Sequence, residues 1–154
     1  MTSPAAPALQ LDDRRRAIGE SRLAELPSLR TQLEMARVIK EYHIWLAVRI
    51  IEEREDQPQF RRHRRLRDLL EANALLEAVI ELGAHLQPTR QPWSMERSGD
   101  RWRCRVAWND RGNLRRCAGR HDDLAAALMI ALLSSLGRRR ERPKELSKDG
   151  EQAA

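Results

Sequence analysis

The sequence predicts an α+β fold, in which an N-terminal helical hairpin is followed by a three-stranded antiparallel sheet that packs against a C-terminal helix. Three observations predict it. Apolar residues recur every three or four positions between residues 29 and 86, apolar and charged residues alternate between 101 and 108, and helical spacing returns after Gly119. The first and third patterns are typical of amphipathic helices, and the second is typical of a half-buried strand.

The N-terminal segment is predicted to be disordered before the first helix begins. Residues 1–11 are rich in Pro, Ala and Ser and contain too few large apolar side chains to form a core. Acidic residues at 12 and 13 favour a helix start, so a short helix is predicted over 12–26, and Pro27 is expected to end it.

A long helix is predicted over 29–56, with Ser28 as its N-cap and Pro58 after its end. Twenty-eight residues at about 1.5 Å each span roughly 42 Å, close to the diameter expected of a whole globule of this size. A helix of this length either projects from the domain or packs against a second copy of the chain. We expect residues 12–60 to form a helical extension through which two copies associate as a homodimer.

Residues 61–137 are predicted to form an α-β-β-β-α domain. Its first helix is expected over 61–86 and forms the second arm of the helical hairpin. Asn73 lies on the apolar stripe of this helix. A buried polar residue at such a position can fix the register between two helices, and this is the role expected of Asn73 in the homodimer.

The sheet and the closing helix follow from the change of period after residue 90. Strands are predicted at 93–97, 101–108 and 113–118. Gly112 is expected to close a type I turn between the last two strands by adopting a left-handed conformation. The closing helix is predicted from Asp122 to Leu136, and the charged residues 138–154 are predicted to be disordered.

The charge of the chain favours polyanionic partners. The formal net charge is +6, and only three of the 29 basic residues are lysines (Lys40, Lys144 and Lys148). Arginine binds phosphate in a planar fork and stacks on aromatic rings, so nucleic acid, anionic lipid and acidic protein surfaces are the candidate partners. Codon bias in a GC-rich genome is the alternative explanation of the arginine excess. Only the positions of the arginines therefore carry information.

The sheet provides the first candidate binding surface. If the turn pairs Trp108 with Leu114, four arginines lie on the face opposite Trp102 and Trp108: Arg101, Arg103, Arg105 and Arg115. Like charges on one sheet face repel one another unless an anion lies across them, so this face is predicted to contact phosphates. The alternative is a solvated outer face on which arginine stems cover apolar surface.

Two further arginine clusters and one tryptophan complete the set of candidate binding residues. Arginines at the start of the helix predicted over 61–86 oppose the helix dipole, which favours a binding role over a structural one. The first cluster is Arg61, Arg62, Arg64 and Arg65 at the start of that helix. The second is Arg138, Arg139 and Arg140 after the closing helix. Trp93 is the tryptophan predicted to stack on a ligand or to contact a partner protein.

The sequence gives no indication of an enzyme, a metal site or a cofactor. It lacks nucleophile-elbow, Walker and dinucleotide-binding motifs. Cys104 and Cys117 lack paired metal-ligand spacing, and alternation is expected to place them on opposite faces of the sheet. Two cysteines, no signal-peptide pattern and no apolar run of 18 residues predict a cytoplasmic protein with no membrane contact.

The stretch from residue 61 to Gly137 resembles the double-stranded RNA-binding domain. The residues that carry the resemblance are 118–128, AGRHDDLAAAL, which look like that family's last strand and its Ala-rich closing helix. The resemblance implies a sheet with helices packed on one face. That family has lysines at the start of the closing helix, whereas this chain has His121, Asp122 and Asp123. The carboxylates of the two aspartates repel a phosphate backbone. The same region is also similar to small phage-encoded sandwich domains.

The leading functional hypothesis is a non-catalytic nucleic-acid-binding protein whose arginines contact phosphates of DNA or RNA. The alternative is a protein–protein adaptor or mobile-element accessory protein, with the apolar helix predicted over 29–56 as its docking surface. A structural subunit of a nucleoprotein assembly would use both surfaces.

Overall fold

The computed structural model describes residues 25–53 and 63–137, and it confirms the predicted α+β fold. Helices precede a three-stranded antiparallel sheet of order β1-β2-β3, and a C-terminal helix packs against that sheet. The elements are α1 (Glu25–Met35), α2 (Glu41–Glu52), α3 (Arg64–Glu71), α4 (Leu75–His85), β1 (Gln91–Ser98), β2 (Arg101–Asp110), β3 (Asn113–His121) and α5 (Leu124–Gly137).

The predictions for both ends of the chain lie outside the described residues, which exclude 1–24 and 138–154. The predicted boundary between a short and a long helix at Pro27 and Ser28 is wrong, because both residues lie inside α1. Proline is tolerated in the first turn of a helix, where its missing N–H removes no essential hydrogen bond.

The single long helix predicted over 29–56 is also wrong, because α1 ends at Met35 and a short non-helical turn separates it from α2, which begins at Glu41. The ring of His121 lies at this turn: its Nδ1 accepts a hydrogen bond from the Asp123 N–H at 2.8 Å, so its Nε2 carries the proton. Nε2 lies 2.9 Å from the carbonyl oxygen of Leu33 and 2.8 Å from that of Ala36, at the end of α1. A side-chain donor here satisfies carbonyls that a continued helix would have satisfied.

The start of α2 is held by two further side chains. A carboxylate oxygen of Asp123 accepts the N–H of Ile39 at 2.8 Å, and Nδ1 of His43 accepts the N–H of Lys40 at 2.9 Å. Burial lowers the pKa of His43 and the charge of Lys40 lowers it further, which keeps the ring neutral and able to accept. The homodimer prediction therefore loses the helix-length argument on which it rested.

The helix predicted over 61–86 is two helices, α3 and α4, with Asn73 between them. Asn73 has a φ of 57° and is exposed, so the predicted buried role is wrong. The Ala74 N–H donates to Leu69 O at 2.9 Å and the Asn73 N–H donates to Leu70 O at 3.0 Å. These two bonds form a Schellman motif, and asparagine tolerates the left-handed conformation that the motif requires.

Helix α5 occupies the centre of the protein. Eleven of its residues are buried, which leaves almost no polar face. It packs on β2 and β3 on one side, and on α1 and α4 on the other. Strand β3 approaches α5 closely at Gly119, where an added Cβ would lie 2.3 Å from the carbonyl oxygen of Ala127 and 2.5 Å from the nitrogen of Ala131. Only glycine allows β3 and α5 to lie this close together.

Candidate nucleic-acid interface

The register between β2 and β3 decides which arginines share a face. Trp108 pairs with Arg115 and not with Leu114, so the predicted register is wrong by one residue. The cause is the turn: Arg111 and Gly112 form a two-residue loop with φ of 50° and 84°. Two positive φ values are typical of a type I′ turn, whereas a type I turn was predicted. A shift of one residue moves every side chain of β3 to the opposite face.

We call the sheet side that bears Arg101, Arg103 and Arg105 the outer face; α5 packs on the other side. These three β2 arginines alternate with buried Cys104 and Val106, so their predicted orientation away from the core is confirmed. Arg115, which was predicted to join them, pairs with Trp108 on the inner side and lies 3.8 Å from a carboxylate oxygen of Asp110. Two arginines of β3 lie on the outer face instead. Arg116 pairs with Ala107 of β2, and Arg120 pairs with Arg103.

The outer face carries a strong excess of positive charge. Arg101 is the arginine of this set with an ion-pair partner, Asp122 at 3.3 Å, and both side chains are largely exposed. Within the described ranges, the other four arginines (Arg103, Arg105, Arg116 and Arg120) make no ion pair. Glu96 is the carboxylate that the register places among them, directly opposite Arg103.

Arg103 lies at the centre of this surface under conditions that favour an added anion. Its cross-strand neighbours are Glu96 on β1 and the like-charged Arg120 on β3. Its Nε is buried and has no hydrogen-bond partner in the described part of the chain. Directly opposed like charges destabilise a sheet, and an unsatisfied buried donor adds to that effect. A phosphate bound to the guanidinium would offset the first of these effects, whereas the Nε is closed to solvent and could reach a ligand only if the side chain moved.

Trp93 reaches the outer face because β1 contains a bulge between Pro92 and Ser94. Counting back from Met95, which packs against the core, regular alternation would place Trp93 on the core side. The extra residue of the bulge reverses this orientation. The indole ring is 52% exposed, and the guanidinium carbon of Arg116 lies 4.3 Å from its centroid.

The inner side of the sheet is core. Cys104, Val106 and Trp108 are buried, as predicted, and Trp102 is partly buried beside them. The predicted placement of the two cysteines on opposite faces is wrong, because Cys117 pairs with Val106 and is buried on the same side as Cys104. Burial raises the pKa of the Cys104 thiol to about 11, so this thiol is not a nucleophile near neutral pH.

A buried arginine at the start of β1 was not identified from the sequence. Arg90 is 7% exposed, and its guanidinium carbon lies 5.0 Å from the ring centroid of Trp108. Its Nη1 donates to Pro88 O at 2.6 Å and its Nε donates to Ser135 Oγ at 3.2 Å. These contacts join α5 to the sheet, so Arg90 has a structural role and does not belong to the binding surface.

The arginine clusters predicted outside the sheet are only partly described. Arg64 and Arg65 lie on α3, which packs against α4. The Nε of Arg65 contacts a carboxylate oxygen of Glu81 at 3.1 Å, and that carboxylate also contacts His85 at 2.7 Å. Arg64 is nearly fully exposed, with Asp68 at 4.0 Å. The remaining members of these clusters, Arg61, Arg62, Arg138, Arg139 and Arg140, lie outside the described residues.

The three polar residues that precede α5, His121, Asp122 and Asp123, have internal roles. His121 and Asp123 hold the turn between α1 and α2, and Asp122 pairs with Arg101. Side chains with these hydrogen bonds are not free to contact a phosphate backbone, and the two carboxylates would repel it. The start of α5 is therefore a poor nucleic-acid-binding site, and the outer face is the better candidate.

An apolar patch lies at the turn between α1 and α2. Met35, Val38 and Tyr42 are 83%, 51% and 54% exposed, unusually high values for large apolar side chains. A groove of about 380 Å³ lies beside them, with Val38, Leu75 and Leu124 among its lining residues. Exposed apolar patches of this kind are typical of protein contacts.

The described residues hold neither a cluster of three or more potential metal ligands nor a helix that is long and apolar enough to cross a bilayer. Comparison of the chain with protein-family models, with curated proteins and with solved structures gave no match.

Proposed function

We propose that this protein binds nucleic acid without catalysing a reaction, and that the outer face of its sheet is the binding surface. The observation that carries the proposal is the unpaired charge of that face. Four of its five arginines make no ion pair among the described residues, and two of them, Arg103 and Arg120, are direct cross-strand neighbours. Arginine forks match phosphate geometry, so a phosphate backbone is the polyanion that fits best.

The spacing of the arginines suits an extended backbone. Successive outer-face residues of β2 are about 6.8 Å apart along the strand, and the neighbouring strand lies about 4.8 Å to the side. The row from Arg101 to Arg105 therefore spans about 14 Å, and Arg116 and Arg120 widen it on β3. Contacts of this kind are made to phosphates and not to base edges, so we expect little sequence preference and binding of both DNA and RNA.

The helical and terminal clusters have a secondary place in this proposal. Arg64 is free enough to reach a ligand, whereas Arg65 is partly neutralised by Glu81. Arg61, Arg62 and Arg138 to Arg140 stay candidate phosphate contacts from the sequence. These arginines would increase the affinity, but the outer face of the sheet would remain the main binding surface.

The dependence of affinity on salt tests the proposal. Each neutralised phosphate contributes about −0.7 to the slope of log K against log salt for a single strand, and about −0.9 for a duplex. Four or five contacts therefore predict a slope of about −3 to −4.5. The measurement is a fluorescence-anisotropy titration at several salt concentrations, together with the absorbance ratio of the purified protein before and after a high-salt wash. An affinity that does not change with salt would contradict the proposal.

A protein–protein adaptor is the second candidate, and the apolar patch of Met35, Val38 and Tyr42 is the observation that favours it. The docking surface predicted from the sequence was the apolar side of the helix over 29–56. The apolar residues of α2, such as Ile44 and Val48, are buried in the core, so that surface is not available. An adaptor would dock through the patch instead.

A further inference from the structure

We infer that the ligand of the outer face is a single strand, with Trp93 and Arg116 forming a stacking platform for an unpaired base. This inference rests on the proposed function and adds the class of nucleic acid. It starts from the bulge in β1, which moves the one large aromatic side chain of that strand from the core side to the charged side. A tryptophan on an open face loses the burial that would otherwise stabilise the fold.

The platform has the chemistry that unpaired bases require. The indole ring is 52% exposed, and the guanidinium of Arg116 is stacked 4.3 Å from its centroid. Indole and guanidinium planes both stack on nucleobases. In a duplex the faces of the bases are already stacked on one another, so a duplex cannot use the platform without being opened.

The platform also lies beside the arginine row. Ser94, next to Trp93, pairs with Arg105, and Ala107 pairs with Arg116. Ala107 is 4% exposed on this otherwise open side of the sheet, as expected if the ring and the guanidinium lie across it. A base stacked on Trp93 would thus place the adjoining backbone over Arg105 and Arg103, so that one short strand satisfies both features.

Three ligands of equal length, about 15 nucleotides, test this inference: oligothymidine or oligouridine, the corresponding duplex, and an abasic strand that keeps the phosphates without the bases. We expect the single strands to bind at least about tenfold more tightly than the duplex. Trp93→Ala should weaken single-strand binding about 5- to 100-fold and Trp93→Phe much less, because a phenyl ring still stacks. On the abasic strand, Trp93→Ala should have almost no effect.

Two control variants isolate stacking from general damage. Tyr42→Ala removes an aromatic side chain of similar exposure from α2, and Leu114→Ala removes an exposed apolar side chain from the outer face itself. Neither should change binding more than about twofold. Equal affinity for single strand and duplex, or an equal loss on normal and abasic strands in Trp93→Ala, would overturn the inference and leave phosphate binding intact. Failure of the wild-type protein to bind any of the three would overturn the proposed function as well.

Discussion

Reversing Arg103 and Arg105 to glutamate should lower the affinity for nucleic acid by at least about 100-fold while the protein stays folded. Two charge-assisted hydrogen bonds to phosphate are lost, each worth about 1.5 kcal/mol or more, and every 1.4 kcal/mol is a factor of about ten. The two new carboxylates repel the backbone in addition. The fold should tolerate the change, because both side chains lie on the outer face and position 103 keeps one opposite-charged and one like-charged cross-strand neighbour. Arg103 faces Glu96 and Arg120, and a glutamate there would pair with Arg120 and face Glu96 instead. The measurement is an anisotropy titration at constant salt.

The matched control is the double variant Arg30→Glu and Arg49→Glu. These arginines lie on α1 and α2, and their side chains are about half exposed. Each arginine-to-glutamate substitution lowers the net charge by two, so both double variants lower the formal net charge from +6 to +2. The control should change affinity less than about threefold, since net charge alone acts weakly at physiological salt. Equal losses in the two variants would show that the outer face has no special role.

Gly119→Ala should destabilise the protein by more than about 3 kcal/mol, or prevent folding altogether. The added methyl would lie 2.3 Å from the carbonyl oxygen of Ala127 and 2.5 Å from the nitrogen of Ala131, and neither backbone atom can move without shifting α5. Because α5 is the centre of the core, a shift there loosens its contacts with both the sheet and the helices. Urea unfolding followed by circular dichroism measures the change, and Tm should fall by at least about 6 °C.

Gly137→Ala is the control for this substitution. Gly137 is the last residue of α5, its φ is not in the left-handed region, and within the described ranges no neighbouring atom lies within 4 Å of an added Cβ. The unfolding free energy should therefore change by less than about 0.5 kcal/mol. Wild-type stability of Gly119→Ala would mean that β3 and α5 do not approach as closely as described.

The fold class could be predicted from the sequence because, in most of the chain, the spacing of apolar residues along the sequence matches the residues that are buried. In β2, buried apolar residues alternate with exposed or partly exposed arginines, and in α5 nearly every residue is apolar and buried. The break between α1 and α2 could not be predicted in this way, since it depends on His121 and Asp123, more than 80 residues away in sequence. The break at Asn73 had a local signal, an asparagine that tolerates the left-handed conformation, but the helical period on both sides masked it.

The candidate site was predicted only on β2. Arg101, Arg103 and Arg105 alternate within one strand, so their common face can be inferred without knowing how that strand pairs with its neighbours. The arginines of β3 depend on the turn, and a type I′ loop at Arg111 and Gly112 moves the register by one residue. Cys117, Gly119 and His121 alternate as core-facing residues. That alternation is the signal which would have assigned Arg116 and Arg120 to the outer face.

Chemical-shift mapping shows whether nucleic acid binds on the outer face of the sheet. Isotope-labelled protein would be titrated with oligothymidine while the backbone amides and the indole N–H groups are followed. The expected result is that the largest changes occur at Arg103, Arg105 and Arg116 and at the indole of Trp93. Changes confined to the turn from Met35 to Tyr42, with the outer face of the sheet unaffected, would contradict it.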